Sequence, residues 1–178
     1  MLNAFQIIEE NLLKLEHSHG KPAQVGYDLS LKAVSRIGER YPNQPSYKIG
    51  KILKEKTLLT TYVPYPVEEL DGVRGWLLQP GTYDMVFNEG CNIPANRVAF
   101  IKQRSSLKRN GASINSPVFD PGFETDNMGT ILDVTVPIFI EENARVAQIY
   151  FHECEPAELY NGQWMRDKQR HLQVDNLK

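Results

Sequence analysis

From Trp76 onward this chain reads as short β-type runs cut by tight turns, and that rhythm constrains the fold more than any other feature. The runs fall at 75–78, 82–87, 98–102, 131–136 and 146–151. Between them stand Gln79-Pro80-Gly81, Asn88-Glu89-Gly90 and Asp120-Pro121-Gly122. Short strands at roughly ten-residue spacing predict a mainly β sandwich or barrel of antiparallel strands. Ahead of them, Leu2, Phe5, Ile8, Leu12 and Leu15 recur at helical spacing and predict one amphipathic helix over 2–16. Pro22 stops any continuation past residue 20. The stretch 30–60 is mixed. The stretch 62–75, with Pro64, Pro66, Gly72 and Gly75, reads as a loop, an insertion or a lid.

At 178 residues the expectation is one domain over 1–178, with a polar tail over 165–178 that stays mobile until it meets ligand. A net charge of -2 argues against a protein that coats itself with nucleic acid, so any polyanion site must be local. No run approaches the ~18 apolar residues of a membrane span. Residues 1–15 carry Glu9, Glu10 and Lys14 and lack the apolar core of an export signal. Cys91 and Cys154 have no metal-ligand spacing, and a cytoplasmic protein with reduced thiols is expected. His17 and His19 read as a surface pair at the helix end.

The chemistry-bearing segments are a basic, hydroxyl-rich run, Arg104-Ser105-Ser106-Leu107-Lys108-Arg109, and the turn Phe119-Asp120-Pro121-Gly122-Phe123. Arginine forks and serine hydroxyls suit phosphate oxygens. An acid beside an aromatic suits a phosphorylated molecule that contains a ring, of which a nucleotide is the simplest. Each element also has a plainer reading. Arg-Ser-Ser can be a solvated loop, Asp-Pro-Gly a turn whose acid accepts local N–H groups, and Phe123 a core residue.

At these residues the sequence resembles the superfamily of trimeric dUTPases and dCTP deaminases, closest to the archaeal-type dUTPases. Gly26-Tyr27-Asp28-Leu29, Arg104-Ser105-Ser106-Leu107, Phe119 to Phe123, and Ala144-Arg145-Val146-Ala147-Gln148 follow the superfamily's motifs in order. Pro80-Gly81-Thr82-Tyr83, Phe87-Asn88-Glu89 and Tyr160-Asn161-Gly162 resemble the archaeal branch. The resemblance implies a distorted β-barrel or jelly roll with a short N-terminal helix, assembled as a homotrimer with active sites between subunits. It implies hydrolysis of dUTP to dUMP and pyrophosphate, with Asp120 orienting the attacking water. Arg104, Ser105, Ser106 and Gln148 would hold phosphates or their waters. Phe123 would pack on the deoxyribose, and Asn115, Ser116, Val118 and Phe119 would belong to a hairpin arm that reads the base. Asp28 would lie near metal-bound waters or serve as a turn carboxylate. Tyr160, Gly162, Gln163 and Trp164 would cover the ligand, in place of the glycine-rich arm found in many dUTPases. Magnesium is implied as a companion of the substrate phosphates, with no direct protein ligand. The second reading is dCTP deamination, alone or combined with dUTP cleavage. It needs an acid in the strand after the turn, where Asp133 stands. A nucleotide-sensing regulator is the third.

Overall fold

Every β-type run seen in the sequence is a strand in the computed structural model, which describes residues 1–37 and 62–161. In chain order the elements are α1 (Ala4–Glu9), β1 (Leu13–Lys14), β2 (Lys21–Pro22), β3 (Tyr27–Ile37), β4 (Tyr62–Pro64), β5 (Glu68–Leu70), β6 (Val73–Leu78), β7 (Gly81–Phe87), β8 (Gly90–Asn92) and β9 (Arg97–Gln103). There follow α2 (Ser105–Arg109), β10 (Ala112–Asn115), β11 (Glu124–Thr125), β12 (Gly129–Val134), β13 (Ile138–Glu141) and β14 (Arg145–Glu153). The largest sheet runs β10-β12-β7-β3-β14-β9, with β2 and β4 added along β3. Two small sheets, β1-β8-β11 and β13-β6-β5, flank it. All pairings are antiparallel.

The large sheet almost closes on itself. After β10 the chain leaves β12 and meets β9 at one point, where Phe119 and Ala99 exchange both backbone hydrogen bonds at 3.0 Å. The result is the mainly β, distorted barrel the sequence predicts. Its interior is filled by Leu29, Leu31, Met85, Phe87, Leu132, Ile149 and Phe151, all fully buried. β3 and β14 meet so closely that Gly26 is obligatory: its φ is +77°, and a Cβ there would lie 2.2 Å from the Ile149 carbonyl oxygen.

Three sequence expectations change. The helix predicted over 2–16 spans only Ala4–Glu9, started by a capping box between Asn3 and Gln6. Asn11 adopts φ +53°, which ends the helix and turns Leu12 and Leu13 into the core, while Phe5 stays 83% exposed. The apolar spacing therefore combined a helix face with a following strand. The stretch 62–75 holds β4, β5 and the start of β6 rather than a plain loop. Its Asp71-Gly72 corner, with φ +53° and +78°, is the two-residue hairpin that an Asp-Gly pair favours. The longest strand, β3, starts at Tyr27 and runs on into the segment read as mixed, unseen there because it is buried on both faces and shows no alternation.

Candidate functional site

The Asp120-Pro121-Gly122 turn is built from main-chain contacts. Phe123 N–H donates to the Asp120 carbonyl (3.1 Å) and Gly122 N–H to that of Ile93 (2.7 Å). Gly122 has φ +86°, and a Cβ on it would stand 2.8 Å from the Leu159 Cβ. That close approach lets the 159–160 segment lie across the turn, with Tyr160 N–H donating to the Pro121 carbonyl (2.7 Å). Tyr160 packs edge-on to Phe123 at 5.6 Å, and Phe123 packs likewise on Phe119 at 5.4 Å. The Asp120 carboxylate is exposed and makes no hydrogen bond among the described residues.

These groups open onto a cavity of about 440 Å³. Of the predicted site residues, Val118, Phe119, Asp120, Phe123 and Tyr160 line it. Asn115 and Ser116 stand beside it. The Asn115 carbonyl accepts from Thr130 Oγ1 (2.9 Å), and Ser116 Oγ donates to the Pro117 carbonyl (3.0 Å). The stretch 115–119 is a crossover from β12 to β9, not the hairpin arm expected, because Asn115 pairs with Ile131 and Phe119 with Ala99. Sequence reasoning missed Tyr62, Thr125, Asn127, Gly129, Thr130 and Ile131 in the wall. Asn127 holds that wall in place: Nδ2 donates to the Phe87 and Asn88 carbonyls (2.9 and 3.0 Å), and Oδ1 accepts from Lys32 Nζ (3.1 Å). Among the described residues no lysine or arginine lines the cavity.

The cations lie elsewhere. Asp28, buried in β3, faces Arg104 Nε at 3.6 Å and Arg145 Nη1 at 3.7 Å. Arg104 is pinned further, its Nη1 donating to the Arg145 carbonyl (3.1 Å) and its N–H to that of Val146 (2.9 Å). Two guanidiniums against one carboxylate leave a unit of positive charge, and both arginines keep about a third of their side-chain surface open. Arg145 was not singled out from the sequence. The signal was there, since Arg145 lies three residues before Gln148, which pairs with Asp28 across the β3–β14 ladder. Gln148 donates through Nε2 to the Val25 carbonyl. Ser105 and Ser106 are exposed in the first turn of α2, where helix N–H groups lack intrahelical partners.

The two groups of predicted residues do not meet within one chain. Phe119 is tied to Ala99, and Arg104 follows the other end of the same strand, about 16 Å along it. Asp133 lies outside the cavity wall; Oδ1 accepts from Thr82 Oγ1 (2.7 Å) and Oδ2 from the Asn115 amide. Gly162, Gln163 and Trp164 fall outside the described residues. Among the described residues no three His, Cys, Asp or Glu side chains cluster as metal ligands, and Asp28 is engaged with two guanidiniums.

The chain is thus a β-barrel with an acid-and-aromatic cavity at its seam and a separate two-arginine cluster. The family model described as dCTP deaminase-like matches residues 5–154, and the chain belongs to that family. Its relatives include the probable deoxyuridine 5'-triphosphate nucleotidohydrolase of Halobacterium salinarum, 35% identical over 91 residues, 51% of this chain and 54% of that protein. The deoxyuridine 5'-triphosphate nucleotidohydrolase of Methanocaldococcus jannaschii is 40% identical over 86 residues, 48% of this chain and 54% of that protein. The chain thus spans about half the length of the curated relatives it matches. The 2'-deoxycytidine 5'-triphosphate deaminase of Agrobacterium tumefaciens shares the fold, with a TM-score of 0.55 at 17% identity over 84% of this chain and 47% of that one.

Proposed function

We propose that this chain is a dUTP diphosphatase, converting dUTP to dUMP and pyrophosphate. The observation that carries the reading is the exposed Asp120 carboxylate, without a hydrogen bond among the described residues, at the mouth of an aromatic cavity. In this reading the nucleoside enters the cavity, with Phe123 against the deoxyribose, where a 2'-hydroxyl would find neither room nor partner. Asp120 takes a proton from a water whose oxygen attacks the α-phosphorus. The bond from the α-phosphorus to the bridging oxygen breaks, and pyrophosphate leaves. The triphosphate needs cations, and among the described residues the cavity wall has none. Arg104 and Arg145, with the Ser105 and Ser106 hydroxyls and Gln148, supply them from a second copy, so the working form is a homotrimer with shared sites. Asp28 then acts as the anchor that aims both guanidiniums. Mg²⁺ enters with the phosphates and adds charge neutralisation; no step here depends on a protein ligand for it. Free thiols at Cys91 and Cys154 suit a reducing, cytoplasmic setting.

The family's other chemistry, dCTP deamination, is the second reading, favoured by the description of the matching family model. Against it, the Asp133 carboxylate is engaged by Thr82 and Asn115. Chromatography of products from dUTP and dCTP with Mg²⁺ tests both. dUMP and pyrophosphate from dUTP, with dCTP unchanged, is the expected result. Uracil nucleotides formed from dCTP would move the chain to the deaminase branch.

A further inference from the structure

Thr130 stands where the inward row of β12 reaches the cavity. It shares that face with Leu132 and Val134, and is itself only 2% exposed. A hydroxyl carries one donor and two acceptor lone pairs. The Thr130 proton is committed to the Asn115 carbonyl at 2.9 Å, so what the side chain has left to offer the cavity is an acceptor. Of the neighbouring peptide groups, those of Val118 have no hydrogen bond among the described residues, and the others are largely spent. Phe119 gives both of its groups to Ala99, Pro117 has no N–H, and its carbonyl accepts from Ser116.

We propose that Thr130 is a specificity-determining residue whose hydroxyl oxygen accepts from the N3–H of uracil and thereby disfavours cytosine. The inference rests on the reading of this cavity as the nucleoside site. Cytosine carries a lone pair at N3, which would face the lone pairs of Thr130. The hydroxyl could serve cytosine only by turning to donate, and that would give up its bond to the Asn115 carbonyl. Either arrangement costs a hydrogen bond, so the preference follows from the anchoring bond rather than from the hydroxyl alone.

The test is calorimetric binding of α,β-imido-dUTP and α,β-imido-dCTP to the full chain, comparing wild type with Thr130→Val, Thr130→Ala and Thr130→Ser. The uridine-to-cytidine affinity ratio should fall about tenfold in the valine and alanine variants and persist in the serine variant. A merely structural hydroxyl would lower the melting temperature of the valine and alanine variants and leave their ratio intact. Because the ratio is internal to each variant, partial unfolding does not move it. Should the valine variant fail to fold, the alanine variant reads the same quantity. A wild-type preference that survives in either variant overturns this inference alone. A wild type that binds neither analogue overturns the nucleotide reading, and this one with it.

Discussion

Under the proposed function, replacing Asp120 by Asn separates catalysis from architecture. The turn that carries Asp120 is held by main-chain bonds to Ile93, Tyr160 and Phe123 and by the Ala99–Phe119 pair. None of them uses the carboxylate. The plainer reading of an Asp-Pro-Gly sequence has the acid accepting a local N–H, yet here the Gly122 N–H goes to Ile93 and the Phe123 N–H to the Asp120 carbonyl. The substitution keeps the shape of the side chain and removes its basicity. Thermal unfolding should therefore stay within about 1 °C of wild type, as for an exposed polar change. A positioned general base contributes typically 10²–10⁴-fold, or about 3–5 kcal/mol of barrier. kcat for pyrophosphate release, followed by a coupled phosphate assay, should fall by that factor. KM should change by no more than a few-fold, because the arginines proposed to hold the phosphates are untouched. A kcat within about threefold of wild type would remove Asp120 from the mechanism. A fall in melting temperature of several degrees would show that the carboxylate braces the turn after all.

Three further outcomes follow from the same structure. Co-refolding inactive Asp120→Asn and Arg104→Gln chains in equal amounts should restore about a quarter of wild-type turnover if each site pairs two copies at random; no recovery would place both residues in one chain's site. Glu89, fully buried, accepts from Ser18, Gly20 and both donors of Ser30. Glu89→Gln sets an amide against a donor and should cost about 2–3 kcal/mol in urea unfolding, and a loss below about 0.5 kcal/mol would contradict that hydrogen-bond account. Burial pushes the Cys91 thiol up from 9.0 to about 12. The unfolded chain releases that proton first, so the contribution to stability is whole below pH 9 and is lost as pH rises toward 12, up to about 4 kcal/mol. Cys91→Ala should flatten that alkaline decline; an unchanged slope would assign the decline to other groups.

What the sequence exposed and what it hid divide along contact range. Asp120 and Phe123 were legible because a turn signature and its aromatic neighbour are local, whereas Tyr160 was picked out by the resemblance alone. The strands were legible where one face is buried and the other wet, as in β9 and β14, and illegible in β3, where both faces are buried. Resemblance picked out Asp28 and Arg104 without showing that Arg145 completes their cluster, since that depends on the pairing of β3 with β14. Thr130 and Asn127 carried no local mark. A threonine in a strand and an asparagine in a turn become cavity wall only once the sheet curls round to bring β12 beside the 115–119 crossover. The helix over 2–16 failed for the opposite reason: a local period was strong, and one left-handed residue, Asn11, overrode it.

Under the proposed function, the barrel's incomplete seam is where a base edge would be read. Along β14, β3 and β7 the ladders are extensive, and main-chain groups there are committed to one another. Between β10 and β9 the closure is a single residue pair, and among the described residues the Val118 N–H and carbonyl have no hydrogen bond. A peptide group left unpaired once water is excluded costs about 1–3 kcal/mol. A base edge that supplies the partner recovers that cost, and one with the wrong donor order does not. The rigid part of the sheet instead holds the Asp28–Arg104–Arg145 cluster, where charge must be aimed but no edge is read. Hydrogen exchange should show the difference. The Val118 amide should exchange fast in the free protein and gain about tenfold protection with saturating dUMP, while the Phe119 amide, already bonded to Ala99, changes less. Equal protection of both amides would mean that the nucleotide tightens the whole seam rather than completing an open place in it.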